Sequence, residues 1–90
     1  MMTYYVIVWN TVIDEDGDTG IQGVYTSRDE AAAAFAKEVA EEKKWVADRW
    51  DWDIVADDET YFAAGEDGWY SGNHTELKLY VVNQDNAAIQ

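Results

Sequence analysis

Between Thr3 and Ile13 the chain alternates side chains on both sides of an extended backbone. Tyr5, Ile7 and Trp9 fall on one side, and Tyr4, Val6 and Val8 on the other. Apolar residues on both sides predict a central strand. Asp14-Glu15-Asp16-Gly17-Asp18-Thr19-Gly20 then reads as a turn-rich acidic linker, and residues 21–26 as a returning strand. Together they predict a hairpin with a long acidic tip.

The pattern next changes from a period of two to one near 3.6. Ala32, Phe35, Ala36, Val39, Val46 and Trp50 recur at helical spacing. Lys43 interrupts this stripe, but its stem can lie on the apolar face while the amine reaches water. Glu30, Lys37, Glu41, Lys44 and Asp48 fall on the opposite, solvated face. Ser27 with Glu30 three residues later forms a capping box, and Asp29 and Glu30 place negative charge in the first turn, where the helix dipole favours it. These signals predict one helix from Arg28 to Arg49. At about 1.5 Å per residue it spans roughly 30 Å, enough to cross a four-stranded sheet. No Gly or Pro marks its end, so the C-terminal boundary is set only to within a turn.

Beyond the helix, residues 51–59 read as an acidic connection and residues 60–64 as a short strand. Gly65-Glu66-Asp67-Gly68 and Gly72-Asn73-His74 read as turns, with Trp69-Tyr70 as a short extended piece between them. Residues 75–82 form the last strand, in which Leu77, Leu79 and Val81 alternate with Lys78, Tyr80 and Val82. Residues 85–90 read as a frayed tail. The order ββαββ predicts a single α+β domain over residues 1–84, a two-layer sandwich with an antiparallel sheet of three to four strands and one long helix on one face. One helix covers one face only. Five Trp, six Tyr and two Phe exceed what that interface needs, so aromatic surface is left for the loops or for a second copy of the chain.

Composition narrows the function. Nineteen acidic against six basic residues give a formal charge of −13 on ninety residues. A hydrophobic content of 48 % is too high for a disordered acidic tail. Such an excess of one sign repels nucleic acid and anionic membrane and favours basic partners; solubility, or a salt-loving host, is the plainer explanation. The absence of cysteine excludes disulfides and thiolate zinc sites. The start lacks a basic segment, and the apolar run at residues 4–9 is too short for a signal peptide or a membrane span, which makes a cytoplasmic protein the expectation.

Three groups of residues bear on chemistry. Asp14, Asp16 and Asp18 have the spacing of the first three calcium ligands of an EF-hand loop, with Ile21 at the apolar eighth position. The match then fails, since Thr19 stands where Gly is needed and Tyr25 where the bidentate Glu is needed. An acidic hairpin tip is the better reading, and no cofactor other than calcium is in prospect. His74, the one histidine, has Ser71 and Glu76 nearby, but neighbours along a turn seldom form a catalytic constellation. The third group is acidic and aromatic: Asp48, Trp50, Asp51, Trp52, Asp53, Asp57, Asp58 and Glu59, with Glu66, Asp67 and Trp69 further on. As paired glycosidase carboxylates Asp51, Asp53, Asp57, Asp58 and Glu59 are too crowded, and ninety residues leave little room for a deep cleft. Lying along one side of the fold with Asp14 to Asp18 and Glu38 to Glu42, the residues of the third group would resemble a duplex, which carries one charge per about 1.7 Å of axis. They would then occupy a basic protein groove, with tryptophans as anchors.

The run Gly23-Val24-Tyr25-Thr26-Ser27 leading into an Ala-rich helix, and Gly68-Trp69-Tyr70-Ser71-Gly72-Asn73-His74-Thr75 leading into the last strand, resemble small proteins of phages and mobile elements. Size and acidity are similar to those of phage-encoded inhibitors of bacterial defence, the anti-CRISPR proteins and DNA mimics. That resemblance implies a stoichiometric inhibitor acting by contact. The sequence reading is therefore a non-enzymatic acidic binding module for a nucleic-acid-binding host protein, with no direct contact to nucleic acid or membrane. A calcium-responsive or homodimeric structural module is the alternative.

Overall fold

The computed structural model describes residues 2–49, 52–66 and 72–83. Its elements are β1 (Thr3–Ile13), β2 (Asp16–Tyr25), α1 (Arg28–Arg49), β3 (Asp53–Asp57), β4 (Tyr61–Gly65) and β5 (His74–Asn83). The strands form one antiparallel sheet in the order β2-β1-β5-β4-β3, with α1 on one face. The α+β class and the single long helix agree with the sequence pattern, and β1 is central as its two apolar sides require.

The sheet has five strands rather than three or four. The additional strand, β3, lies in the stretch that reads as an acidic connection. Its apolar residues Ile54, Val55 and Ala56 are bracketed by Asp53 and Asp57, which suits an edge strand whose charged ends discourage further pairing. The hairpin tip is also shorter than expected. Ile13 pairs with Asp16, leaving only Asp14 and Glu15 as the turn, both at positive φ (53° and 70°). Positive φ at both central positions belongs to the tight two-residue turn that matches strand twist. Asp16 and Asp18 are therefore strand residues. The short piece expected at Trp69-Tyr70 and the tail at 85–90 lie outside the described residues.

Ser27 caps α1 as expected: its hydroxyl accepts from the Glu30 amide at 3.3 Å, and its carbonyl from the Ala31 amide at 3.0 Å. Phe35, Val39 and Val46 of the expected stripe are buried, but Ala31 takes the place expected for Ala32, and Ala36 is exposed. Ala31, Phe35, Val39 and Val46 are buried, and Glu42 is half-buried among them, whereas Ala32, Ala36 and Ala40 are exposed. The spacing 31-35-39-42-46 follows the 3.6-residue period closely, and the alanine row lies about 100° away. Against the seam the sheet sets Ile7, Phe62, Ala64 and Leu77, with Trp9, Tyr25, Leu79, Trp45 and Trp52 packed around them. Each fully buried large apolar side chain stabilises the fold by roughly 1.5–3 kcal/mol. Trp9 lies flat across β2 because Gly20 opposes it: a Cβ there would stand 2.9 Å from the indole Nε1.

Candidate partner-binding site

Apart from Asp29, Glu30, Glu38, Glu41 and Glu42 on α1, the described carboxylates fall into groups set by the topology. At one end of the sheet, the β1–β2 turn carries Asp14 and Glu15, with Asp16 and Asp18 just inside β2. The Asp14 amide donates to Asn73 Oδ1 at 2.8 Å, and Asn73 Nδ2 donates to Glu66 Oε2 at 3.3 Å. Asn73 thus ties the hairpin tip to the end of β4. Asp53, paired with Gly65, belongs to this end, and Asp48 lies on the last turn of α1 leading towards it.

The second group sits on the flank of the helix. The turn between β3 and β4 carries Asp57, Asp58 and Glu59 and is held by its own hydrogen bonds. Asp58 Oδ1 accepts from the amides of Thr60 and Tyr61, each at 2.9 Å, and the Asp58 amide donates to the Tyr61 carbonyl at 2.9 Å. Because α1 packs most closely on β1, β2 and β5, a cleft of about 620 Å³ remains between helix and turn. Its walls are Ala32, Phe35, Ala36, Val39 and Ala40 on one side and the three acids on the other. Lys43 Nζ reaches Asp57 Oδ2 at 2.6 Å.

The third group is a hub on the face of the sheet away from the helix. Glu76 accepts from Asn10 Nδ2 at 3.2 Å and from the Tyr61 hydroxyl at 2.8 Å. Lys78 Nζ lies 3.8 Å and His74 Nε2 4.0 Å from its two oxygens, and Lys78 also sits 5.3 Å from the Tyr61 ring centre. Burial, then the hydrogen bond and charge of Glu76, push the Tyr61 phenol up to about 12. His74 opens β5 rather than standing in a turn, with Nδ1 3.1 Å from the Gly72 carbonyl oxygen.

Of the residues singled out in the sequence, Asp48, Asp53, Asp57, Asp58, Glu59 and Glu66 are exposed. They are split between the sheet end and the helix flank, rather than drawn into one continuous row. Trp52 is half-buried against the core and meets Trp45 edge-on, with ring centres 5.9 Å apart at 75°. It supports the fold as well as bordering the acids. Trp50, Asp51, Asp67 and Trp69 lie outside the described residues. Asp14, Asp16 and Asp18 border a shallow hollow beside Trp9, but among the described residues no three acids or histidines converge in a way that could hold a metal ion.

Sequence reasoning missed the cleft and the Glu76 hub. The alternation of β5 places His74, Glu76 and Lys78 on one face, but their convergence with Asn10 and Tyr61 depends on a strand order the sequence does not reveal. Among the described residues no helix is long and apolar enough to cross a membrane. No protein family, curated protein or solved structure matches this chain.

Proposed function

We propose that this chain is a non-enzymatic acidic binding module that works in the cytoplasm and occupies a basic surface of a nucleic-acid-binding host protein, in the manner of a phage-encoded inhibitor. One observation carries the reading: among the described residues the carboxylates stand on the helix, on strands and on hydrogen-bonded turns. Asn73 fixes one acidic end, and Asp58 fixes the other acidic turn through its own hydrogen bonds. Fixed charge loses little freedom on binding, so more of the electrostatic attraction appears as affinity and rate of encounter. The open sheet face carries little of this charge. Among the described strand residues there, only Glu76 and the corner residue Asp53 are acidic.

Retention of basic, nucleic-acid-binding proteins on the immobilised chain at low salt tests the reading. They should be released by salt and displaced by duplex DNA, because exposed charge is screened beyond roughly 10 Å at 0.1 M salt. Recovery of no basic protein under those conditions removes the proposal.

A homodimeric role is the second reading, favoured by that same open face. Ile21, Val24, Tyr80 and Val82 are exposed on it beside Val6 and Val8. Pairing through this face should strengthen with salt, which screens the repulsion between like-charged copies, whereas binding of a basic partner should weaken.

A further inference from the structure

We infer that the cleft between α1 and the β3–β4 turn is a docking groove for an amphipathic, Lys- or Arg-bearing segment of a partner protein. The inference rests on the acidic-module reading and gives it a location.

The helix presents two apolar stripes, and only one is used by the fold. Ala31, Phe35, Val39 and Val46 are buried against the sheet. Ala32, Ala36 and Ala40, spaced at i, i+4 and i+8, remain exposed and line the cleft beside the edges of Phe35 and Val39. Side chains this small let another backbone approach closely. From Ala32 to Lys43 the floor runs roughly 17 Å, about three turns of a docked helix.

The rim fixes the chemistry of the occupant. Three carboxylates and one ammonium line the cleft, so its charge is negative above an apolar floor. An all-apolar segment would face the exposed charges of Asp58 and Glu59 without neutralising them, and an acidic one would be repelled. A segment with alkyl side chains on one face and cations along its border satisfies both surfaces. An arginine can replace Lys43 on Asp57 with a two-pronged contact that a lysine cannot make. The rim is set before anything binds, because the Asp58 carboxylate holds the turn through the amides of Thr60 and Tyr61.

The test uses the full chain and two labelled synthetic peptides of about twelve residues, three helical turns in length. One is a Leu/Lys peptide with an apolar face; the other has the same composition permuted so that no face forms. Affinity is read by fluorescence anisotropy and contact by amide shifts in NMR. The amphipathic peptide should bind roughly tenfold more tightly than the permuted one, with shifts at Ala32, Ala36, Ala40 and residues 57–59. Ala36→Phe, which fills the cleft from an exposed position, and Glu59→Lys should each weaken it by roughly tenfold, whereas Asp16→Lys at the hairpin end should not. Equal binding of the two peptides would overturn the groove while leaving the acidic-module reading intact. Shifts centred on the hairpin tip, an inert Ala36→Phe, or a doubled mass that Ala36→Phe abolishes would do the same. Failure of both peptides, together with failure to retain any basic protein, would remove both readings.

Discussion

Thr75 and Glu42 meet beneath the helix: the Thr75 hydroxyl, on a residue with no exposed surface, donates to Glu42 Oε1 at 3.4 Å. Thr11 Oγ1 lies 3.0 Å from Thr75 Oγ1, so polar groups from α1, β5 and β1 meet at the buried Thr75, while Thr11 and Glu42 are half-buried. Burial, opposed by the Thr75 hydrogen bond and assisted by the nearby charge of Glu38, raises the Glu42 pKa above its ordinary 4.5.

A raised carboxyl pKa means that the folded chain holds this proton more tightly than the unfolded chain. The resulting stability is complete below about pH 4.5, the unfolded value, and is lost as pH rises through the folded value. Glu42→Gln keeps an oxygen for Thr75 and removes the charge. It should therefore stabilise the chain at pH 7 by tenths of a kcal/mol, since the group is half-exposed and screened, and raise the melting temperature accordingly. The gain should disappear near pH 4. Thermal melts of both proteins across that range check the sign; a variant less stable at pH 7 than the parent would contradict it.

The two-residue turn gives a second expectation. Glu15 stands at φ 70°, a left-handed conformation that costs a non-glycine residue roughly 1–2 kcal/mol. Asp-Gly is the preferred pair for this turn. Glu15→Gly should stabilise the chain by roughly 0.5–1 kcal/mol, measured by urea unfolding, with the slope of the transition unchanged. A destabilised variant would mean that the Glu15 side chain contributes more than its backbone strain costs.

Much of this fold is legible in the sequence because its signals are local. Ser27, the first-turn acids and the alanine run place α1 within the bounds observed, and the two apolar sides of residues 3–13 place β1 in the sheet interior, between β2 and β5. Non-local pairing is what escaped. β3 has three apolar residues between aspartates, and only the edge of β4 reveals it as a strand. The helix seam was placed at Phe35, Val39 and Val46 but missed at its alanines for a similar reason. Ala31 and Ala32 are equivalent as residues, and the choice between them depends on how α1 is rotated over Phe62 and Leu77. The candidate site inherits both errors, since the cleft is bounded by the unused alanines and by the turn after β3.

At the Glu76 hub, the Tyr61 phenol should titrate at about 12 in the folded chain against 10.0 unperturbed. The sign is that of a raised acid: the associated stability is full below pH 10 and declines as pH rises towards 12. Glu76→Gln removes the charge that opposes the phenolate and should move this titration down, leaving the part due to burial. Absorbance near 295 nm during alkaline titration, with Tyr61→Phe identifying the component, follows it. An unchanged high-pH component in Glu76→Gln would assign the shift to burial alone.

The flank turn allows geometry and charge to be separated at one residue. Asp58 Oδ1 accepts from the Thr60 and Tyr61 amides and lies 3.4 Å from the Thr60 hydroxyl. Asp58→Asn can keep those acceptor bonds without the charge, whereas Asp58→Ala loses both. The alanine variant should lose about 1–2 kcal/mol of stability, and the asparagine variant less than about 0.5 kcal/mol. If fixed charge on a rigid rim is what recruits a basic segment, both variants weaken binding, and the alanine variant does so further because the rim also loosens. Calorimetric titration with the amphipathic Leu/Lys peptide, alongside urea melts, orders the three proteins. Parent-like binding by Asp58→Asn with weak binding by Asp58→Ala would show that the shape of the turn, and not its charge, makes the contact.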